Sequence, residues 1–225
     1  MSKLLVFDMD GVLVDVTESY RETIQRTVEH FTGRRIARDL IQDYKNRGGF
    51  NDDWKLSHQL IQDLGGSAAY PEIVDRFQAI FHGDGSDGLI LRERWLAADG
   101  LFNRLAEKYD LAIFTGRLRW EADVTLQRFA PNLFCPIIGA DNVERTKPAP
   151  DGLLKIREMV PHEEIWYIGD TVDDARSARA AAVPFIGIAS KASPKRDDLI
   201  GLLRAEKAVA VVDDINQLEA AIANG

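Results

Sequence analysis

The chain switches between short apolar runs and longer stretches with helical spacing, and the order of the two predicts its architecture. Leu4-Leu5-Val6-Phe7 is an unbroken apolar run, as expected of a strand buried on both faces. Residues 18–31 then place Tyr20, Ile24, Val28 and Phe31 three and four positions apart, an amphipathic helix ending at Gly33. Further helices are predicted over 36–46, stopped by Gly48-Gly49, over 52–64, stopped by Gly65-Gly66, and over 71–81, opened by Pro71. Gly83-Asp84-Gly85-Ser86-Asp87-Gly88 follows, the most flexible composition in the chain. Beyond it the spacing predicts helix 95–108, strand 111–114, helix 118–129, a short strand 134–138 and helix 151–159. Strand 165–168, helix 172–182, strands 185–188 and 209–212 and helix 215–223 complete the series. Alternation of this kind predicts an α/β fold, a Rossmann-like parallel sheet with helices on both faces. The four helices between residues 17 and 83 contribute no strand. They are expected to form a small helical cap inserted after the first strand, with the core built from 1–16 and 84–225.

The bulk numbers narrow the function classes. With 225 residues the chain can bury a full core, and 45% hydrophobic with 28% charged residues is an ordinary globular balance. A net charge of −8 argues against nonspecific nucleic-acid binding, which draws on cationic contacts to phosphate. The lone Cys135 excludes a disulfide framework, and His30, His58, His82 and His162 show no ligand spacing. No apolar run approaches the roughly 20 residues that cross a bilayer. No signal peptide is visible, so a cytoplasmic location is expected. Repeats and low-complexity segments are lacking, and oligomeric state is not legible.

Chemistry concentrates where predicted strands end. The first strand runs into Asp8-Met9-Asp10-Gly11, and alternation along an extended chain sends both carboxylates to one side. Paired carboxylates repel unless a cation or a shared proton relieves them, and Mg2+ prefers oxygen ligands. The same residues also make ordinary turn material. Thr115-Gly116 follows the second strand, with a hydroxyl and an unshielded N–H suited to phosphate oxygens, or equally to capping the next helix. Lys147 sits in Lys147-Pro148-Ala149-Pro150, where flanking prolines restrict the backbone; it fits either a charge-neutralising role or a rigid solvated loop. Ile168-Gly169-Asp170 again delivers an acid at a strand end, with Asp173 and Asp174 on the next turn, where acids also complement a helix dipole.

Taken together, Asp8-x-Asp10-Gly11, Thr115, Lys147-Pro148 and Gly169-Asp170 with Asp174 resemble the four motifs of the haloacid dehalogenase superfamily. The inserted helices resemble its subclass I, with phosphoglycolate phosphatase-like and β-phosphoglucomutase-like members, and the likeness covers essentially the whole chain. The resemblance implies a Mg2+-dependent phosphatase acting on a small-molecule phosphate ester. By it, Asp8 would be the nucleophile and Asp10 the general acid and base. Thr115 and Gly116 would hold phosphoryl oxygens, and Lys147 would neutralise charge. Mg2+ would sit on Asp8, the Asp10 carbonyl and Asp170, with Asp174 beside it and the share of Asp173 left open. The second aspartate, Asp10, favours phosphate esters over carbon–halogen or phosphonate chemistry. Mutases of the β-phosphoglucomutase type carry a cap histidine where this chain has Tyr20, which favours a hydrolase over a mutase or other phosphotransferase. Val16 departs from the usual Ser or Thr. Phosphate-accepting receiver modules share acids, Thr and Lys at strand ends, but they are about half this length and lack a cap. Substrate choice is expected in 47–55, with Arg47, Asn51 and Lys55 reading the leaving group; alternatively Gly48-Gly49 merely separates two helices.

Overall fold

The computed structural model describes residues 3–223. Strand β1 (Lys3–Phe7) leads through a tight turn into β2 (Val14–Asp15) and then four helices, α1 (Tyr20–Thr32), α2 (Arg38–Arg47), α3 (Asp53–Asp63) and α4 (Tyr70–His82). The chain returns in β3 (Arg94–Trp95), which pairs antiparallel with β2 and adds an Arg94–Asp15 ion pair at 2.6 Å. There follow α5 (Leu101–Ala106), β4 (Asp110–Phe114), α6 (Arg119–Phe129), β5 (Ile137–Ile138), α7 (Asp151–Met159) and β6 (Glu164–Gly169). The last elements are α8 (Val172–Ala180), β7 (Phe185–Ile188), α9 (Arg196–Ala205), β8 (Ala210–Val212) and α10 (Leu218–Ala223). Six of the strands form one parallel sheet in the order β5-β4-β1-β6-β7-β8. This is the expected Rossmann-like α/β fold.

β1 is central because its residues suit nothing else: Leu4, Leu5, Val6 and Phe7 are all 0% exposed. Burying each such side chain contributes roughly 1.5–3 kcal/mol. Strand alternation splits them between the two faces. Leu4 and Val6 join a core with Phe114, Leu153 and Ile156 of α7, and Leu199 and Leu203 of α9. Leu5 and Phe7 join another with Leu101 and Phe102 of α5 and Leu126 of α6. That second cluster runs without a break into the inserted helices through Tyr20, Ile24, Ile41, Leu56 and Phe77.

Four elements differ from the sequence reading. The helix expected over 95–108 starts only at Leu101, because Trp95 pairs with Val14 in the β2–β3 ribbon and Gly100 adopts φ 80° before the first turn. The strand expected over 134–138 shrinks to Ile137–Ile138, the part that faces β4. Helix α9 has no counterpart in the reading. Its charged start, Lys195-Arg196-Asp197-Asp198, resembles loop, and only Leu199 and Leu203 on its inner face are fully buried. The helix expected over 215–223 begins as a 3-10 turn and becomes α-helical from Leu218.

Candidate active site

Register alone gathers three of the motifs. Phe7 lies opposite Ile113 on one side and Ile168 on the other. Asp8 therefore emerges level with Phe114 and Gly169, with Thr115 and Asp170 one residue beyond on the flanking strands. The Asp8 N–H continues the ladder to the Ile168 carbonyl at 2.8 Å, and the Thr115 N–H reaches Ile138 at 3.0 Å. Gly11 turns the chain with φ 73°, and a Cβ there would meet Asp170 Oδ2 at 2.1 Å. No other residue satisfies both the dihedral and the space.

At the centre is Lys147. Its ammonium, in a residue 4% exposed, donates to Asp8 Oδ1 at 2.8 Å and to Asp174 Oδ1 at 2.6 Å. The rings of Phe114 and Tyr167 stand 5.2 and 5.7 Å from it. Burial pulls the Lys147 pKa down, but Asp174 and Asp8 outweigh it, so the ammonium titrates above its ordinary range. Asp174 is itself fixed on all sides. Tyr167 OH donates to Oδ1 at 2.7 Å, and the Thr171 hydroxyl and N–H donate to Oδ2 at 2.6 and 3.0 Å. Burial pushes its carboxyl up, yet Lys147, Thr171 and Tyr167 together leave it below the usual value.

Two other acids lack such compensation. Burial first, offset in part by Lys147, pushes Asp8 up to about 7, with Asp174 and Asp10 adding repulsion. Burial, then Asp8 and Asp174, drive Asp170 well above its ordinary range; Arg21 and Lys45 act against that rise. Asp170 Oδ1 is a buried oxygen with no hydrogen-bond donor. One carboxylate oxygen from each of Asp8, Asp170 and Asp174 lies within 4.8 Å of the others. An all-oxygen donor set with an orphaned buried oxygen fits a hard divalent cation such as Mg2+. Because Asp174 already accepts four hydrogen bonds, close to a carboxylate's capacity, Asp8 and Asp170 are the side chains with ligand capacity to spare.

The Asp10 carboxylate lies outside that cluster. Arg117, 3% exposed, donates to Asp10 Oδ1 through Nε at 2.7 Å and stands 2.6 Å away through its terminal nitrogen. The same guanidinium holds the buried Glu93 at 2.7 Å and Thr125 at 2.7 Å, and lies 4.9 Å from the Tyr20 ring centroid. Ser19 Oγ donates to Glu93 at 3.4 Å and Tyr20 OH to Glu121 at 3.2 Å. One buried cation thus joins the second aspartate to both ends of the inserted segment. Sequence reading missed Arg117 and Glu93. The signal for Arg117 was its place directly after Thr115-Gly116; Glu93 gave none.

The cleft between sheet and cap holds a cavity of about 100 Å3, lined by Asp8, Asp10, Gly116 and Asp170 from the core. From the cap come Tyr20, Arg21, Lys45, Asn51, Asp53 and Trp54. Asn51 lines the cavity beside Gly116, close enough that a Cβ on Gly116 would meet its Nδ2 at 2.3 Å. Arg47 and Lys55 are not among the residues that line it. Arg47 is exposed and lies 4.4 Å over the Tyr44 ring, on the face of α2 away from Lys45. Lys55 is exposed and faces Asp52 at 3.6 Å. Gly48-Gly49 does more than separate two helices. The Gly49 N–H donates to both oxygens of Asp173, at 2.9 and 2.8 Å, and a Cβ on Gly48 would meet Arg176 at 2.0 Å. Asp173, 2% exposed, has its carboxyl raised by burial against the opposing pull of that N–H. The adjacent acids of α8 therefore differ: Asp174 fixes Lys147, and Asp173 holds the Gly49 backbone after α2. A Lys195–Asp43 ion pair adds a second link from α2 to the core.

Residues 5–188 match the family model described as haloacid dehalogenase-like hydrolase. An imidazoleglycerol-phosphate dehydratase of Phytophthora nicotianae is 32% identical over 194 residues, which cover 82% of this chain. The chain spans only 42% of that relative's length. A phosphoglycolate phosphatase of Pseudomonas putida is 23% identical over 239 residues, covering 97% of this chain and 79% of that one. Among solved structures, a haloacid dehalogenase-like protein of Agrobacterium tumefaciens superposes with a TM-score of 0.76 at 20% identity, covering 100% of this chain and 99% of that one.

Two outcomes follow from the buried contacts. Arg117→Gln strands Glu93 and Asp10 without their cation and should cost about 3–5 kcal/mol of stability, read as a lower urea midpoint. Asp173→Ala should speed amide hydrogen exchange over residues 45–55 while leaving β1 and β6 protected. Unchanged exchange there would mean that Asp173 does not clamp the cap.

Proposed function

The chain belongs to the haloacid dehalogenase-like hydrolase family, whose model it matches over residues 5–188, and on that premise we propose that it is a Mg2+-dependent phosphatase. It hydrolyses a small-molecule phosphomonoester through an aspartyl-phosphate on Asp8, beneath a cap formed by residues 17–83. The observation that carries this reading is the Lys147 ammonium between Asp8 and Asp174 with the donorless Asp170 oxygen beside it. A carboxylate so placed can attack phosphorus, while neighbouring cations neutralise the charge that would otherwise repel a phosphate.

In the first step an Asp8 oxygen bonds to phosphorus as the bond to the leaving oxygen breaks, and Asp10 gives that oxygen its proton. In the second, Asp10 takes a proton from water, whose oxygen bonds to phosphorus as the Asp8–phosphorus bond breaks. Inorganic phosphate leaves and the Asp8 carboxylate is restored. Thr115 Oγ1 and the Gly116 N–H donate to the nonbridging oxygens, Lys147 offsets their charge, and Arg117 holds Asp10 toward the leaving group. Mg2+, held by Asp8, Asp170 and the Asp10 carbonyl, would supply further positive charge at the phosphoryl oxygens.

The alternative of a mutase gains little support. The cap residue after the first motif, Tyr20, is buried against Glu121 and Arg117, and burial first, then Glu121, Asp10 and Glu93 against the opposing Arg117, raise its pKa well above the ordinary value. Such a phenol cannot shuttle protons as a free histidine would.

Phosphate release from a panel of small phosphomonoesters should need Mg2+, stop with EDTA, and fall more than about 1,000-fold in Asp8→Asn. Full activity in either case would overturn the mechanism. The raised carboxyls also set a pH dependence. Folded Asp8, pushed up to about 7, binds its proton more tightly than the unfolded side chain, whose pKa is 3.8. Its contribution to stability is therefore present at low pH and lost as pH rises from about 4 to 7. Since Mg2+ competes with those protons, its stabilisation of the fold should be larger at pH 8 than at pH 5, measured as the shift in Tm. An equal shift at both pH values would count against Asp8 and Asp170 as ligands.

A further inference from the structure

The core half of the cleft is fully employed by the phosphoryl chemistry; the cap half holds one cation that is not. Lys45 is already matched, 2.7 Å from Asp53 with both side chains largely buried. Asp52 is occupied too, accepting the Trp54 and Lys55 N–H groups at the start of α3. Arg21, on the first turn of α1, stands apart. One terminal nitrogen donates to the neutral Gln42 Oε1 at 3.1 Å, and the other is buried with no acceptor. Among the described residues no carboxylate comes within ion-pairing distance of it. Gln42, 4% exposed, is held in turn by its own bond to Asn46 at 2.8 Å, so it cannot swing away. A guanidinium stays charged at any pH a protein survives, and a buried N–H without an acceptor is costly.

We propose that Arg21 binds a second anionic group, a carboxylate or phosphate on the alcohol half of the substrate, so that the substrate is a small phosphorylated acid. This rests on the phosphatase reading above and specifies its substrate. Position supports it. Arg21 adjoins Tyr20, whose ring faces Arg117, and Arg117 holds Asp10, the group set to protonate the leaving oxygen. Arg21 itself lines the same cavity as Asp10. Its charge also reaches across to Asp170 and Asp53, opposing without overcoming the rise that burial imposes on both carboxyls. A neutral hydroxyl on the substrate would satisfy one N–H and leave the charge unmatched; a carboxylate or phosphate matches both. Size sets the rest. A cavity of about 100 Å3 is small, which favours a compact acid over a bulky leaving group.

The test compares two- to four-carbon phosphorylated hydroxy acids, phosphoglycolate among them, with their carboxamides, which match them in shape and lack the charge. Wild-type kcat/KM should favour the acids by roughly 10- to 150-fold, the range for a hydrogen bond to a charged group. In Arg21→Gln that preference should shrink to within about 3-fold, with Arg21→Lys recovering part of it. Gln42→Glu provides a second, nearly isosteric variant. It gives Arg21 an internal carboxylate and should reduce the preference without removing the arginine. Equal treatment of acids and carboxamides by the wild type, or a preference that survives Arg21→Gln and Gln42→Glu, would overturn the assignment while leaving the phosphatase reading intact. If the wild type releases phosphate from none of these esters but does so from larger uncharged sugar phosphates, Arg21 has been misread. No release from any phosphomonoester, with or without Mg2+, would bring down the phosphatase reading and this inference with it.

Discussion

A single buried ammonium organises the carboxyl edge of this sheet. Lys147 has exchanged water for Asp8, Asp174 and two aromatic rings, and taking a charge out of water costs several kcal/mol unless partners replace the hydration. The surrounding sequence is shaped by that replacement. Gly169 must lack a side chain because a Cβ would fall 2.5 Å from that of Asp174, and Gly152 of α7 because it packs against the Phe114 ring. Tyr167 has its hydroxyl between Asp174 and the Phe114 carbonyl, bracing the carboxylate that braces the lysine. The lysine's position is thus set by the packing of three strands.

The balance of charge is deliberately incomplete. Asp8 and Asp174 share one ammonium while Asp170 beside them has none, and the shortfall appears as raised carboxyls on Asp8 and Asp170 and as an oxygen with no donor. Across the cleft the imbalance runs the other way at Arg21, where a guanidinium lacks a carboxylate. Between them Arg117 is overmatched by Asp10 and Glu93 and is locked in place. Order where charges are matched and unmet valence where ligands belong is the electrostatic pattern of a binding cleft.

Much of this was legible in the linear chain because it depends on local order. Four apolar residues, then Asp8-x-Asp10-Gly11, read as a buried strand delivering acids at its end, and Thr115, Lys147, Asp170 and Asp174 gained their weight from occurring with it in one order along the chain. What escaped notice depends on distant contacts. Nothing near Glu93 reveals that it meets Arg117, and the charged start of α9 hides its inner leucines. Arg47 and Lys55 are cations beside paired glycines, a pattern that suits ligand reading, yet neither lines the cavity. The glycines let the backbone approach Asp173, and the cations that line the cleft from the inserted helices are Arg21 and Lys45, drawn from α1 and α2.

The first turn of α8 seats two neighbouring acids with unrelated jobs, one gripping the cap backbone and one steadying the ammonium. They share a rigid peptide unit, so the helix cannot shift to loosen the lid without tugging at the lysine's anchor. The glycine end of that grip is no freer, since Gly48 and Gly49 both hold positive φ and a Cβ on Gly48 would meet Arg176, so neither partner can change without disturbing the other.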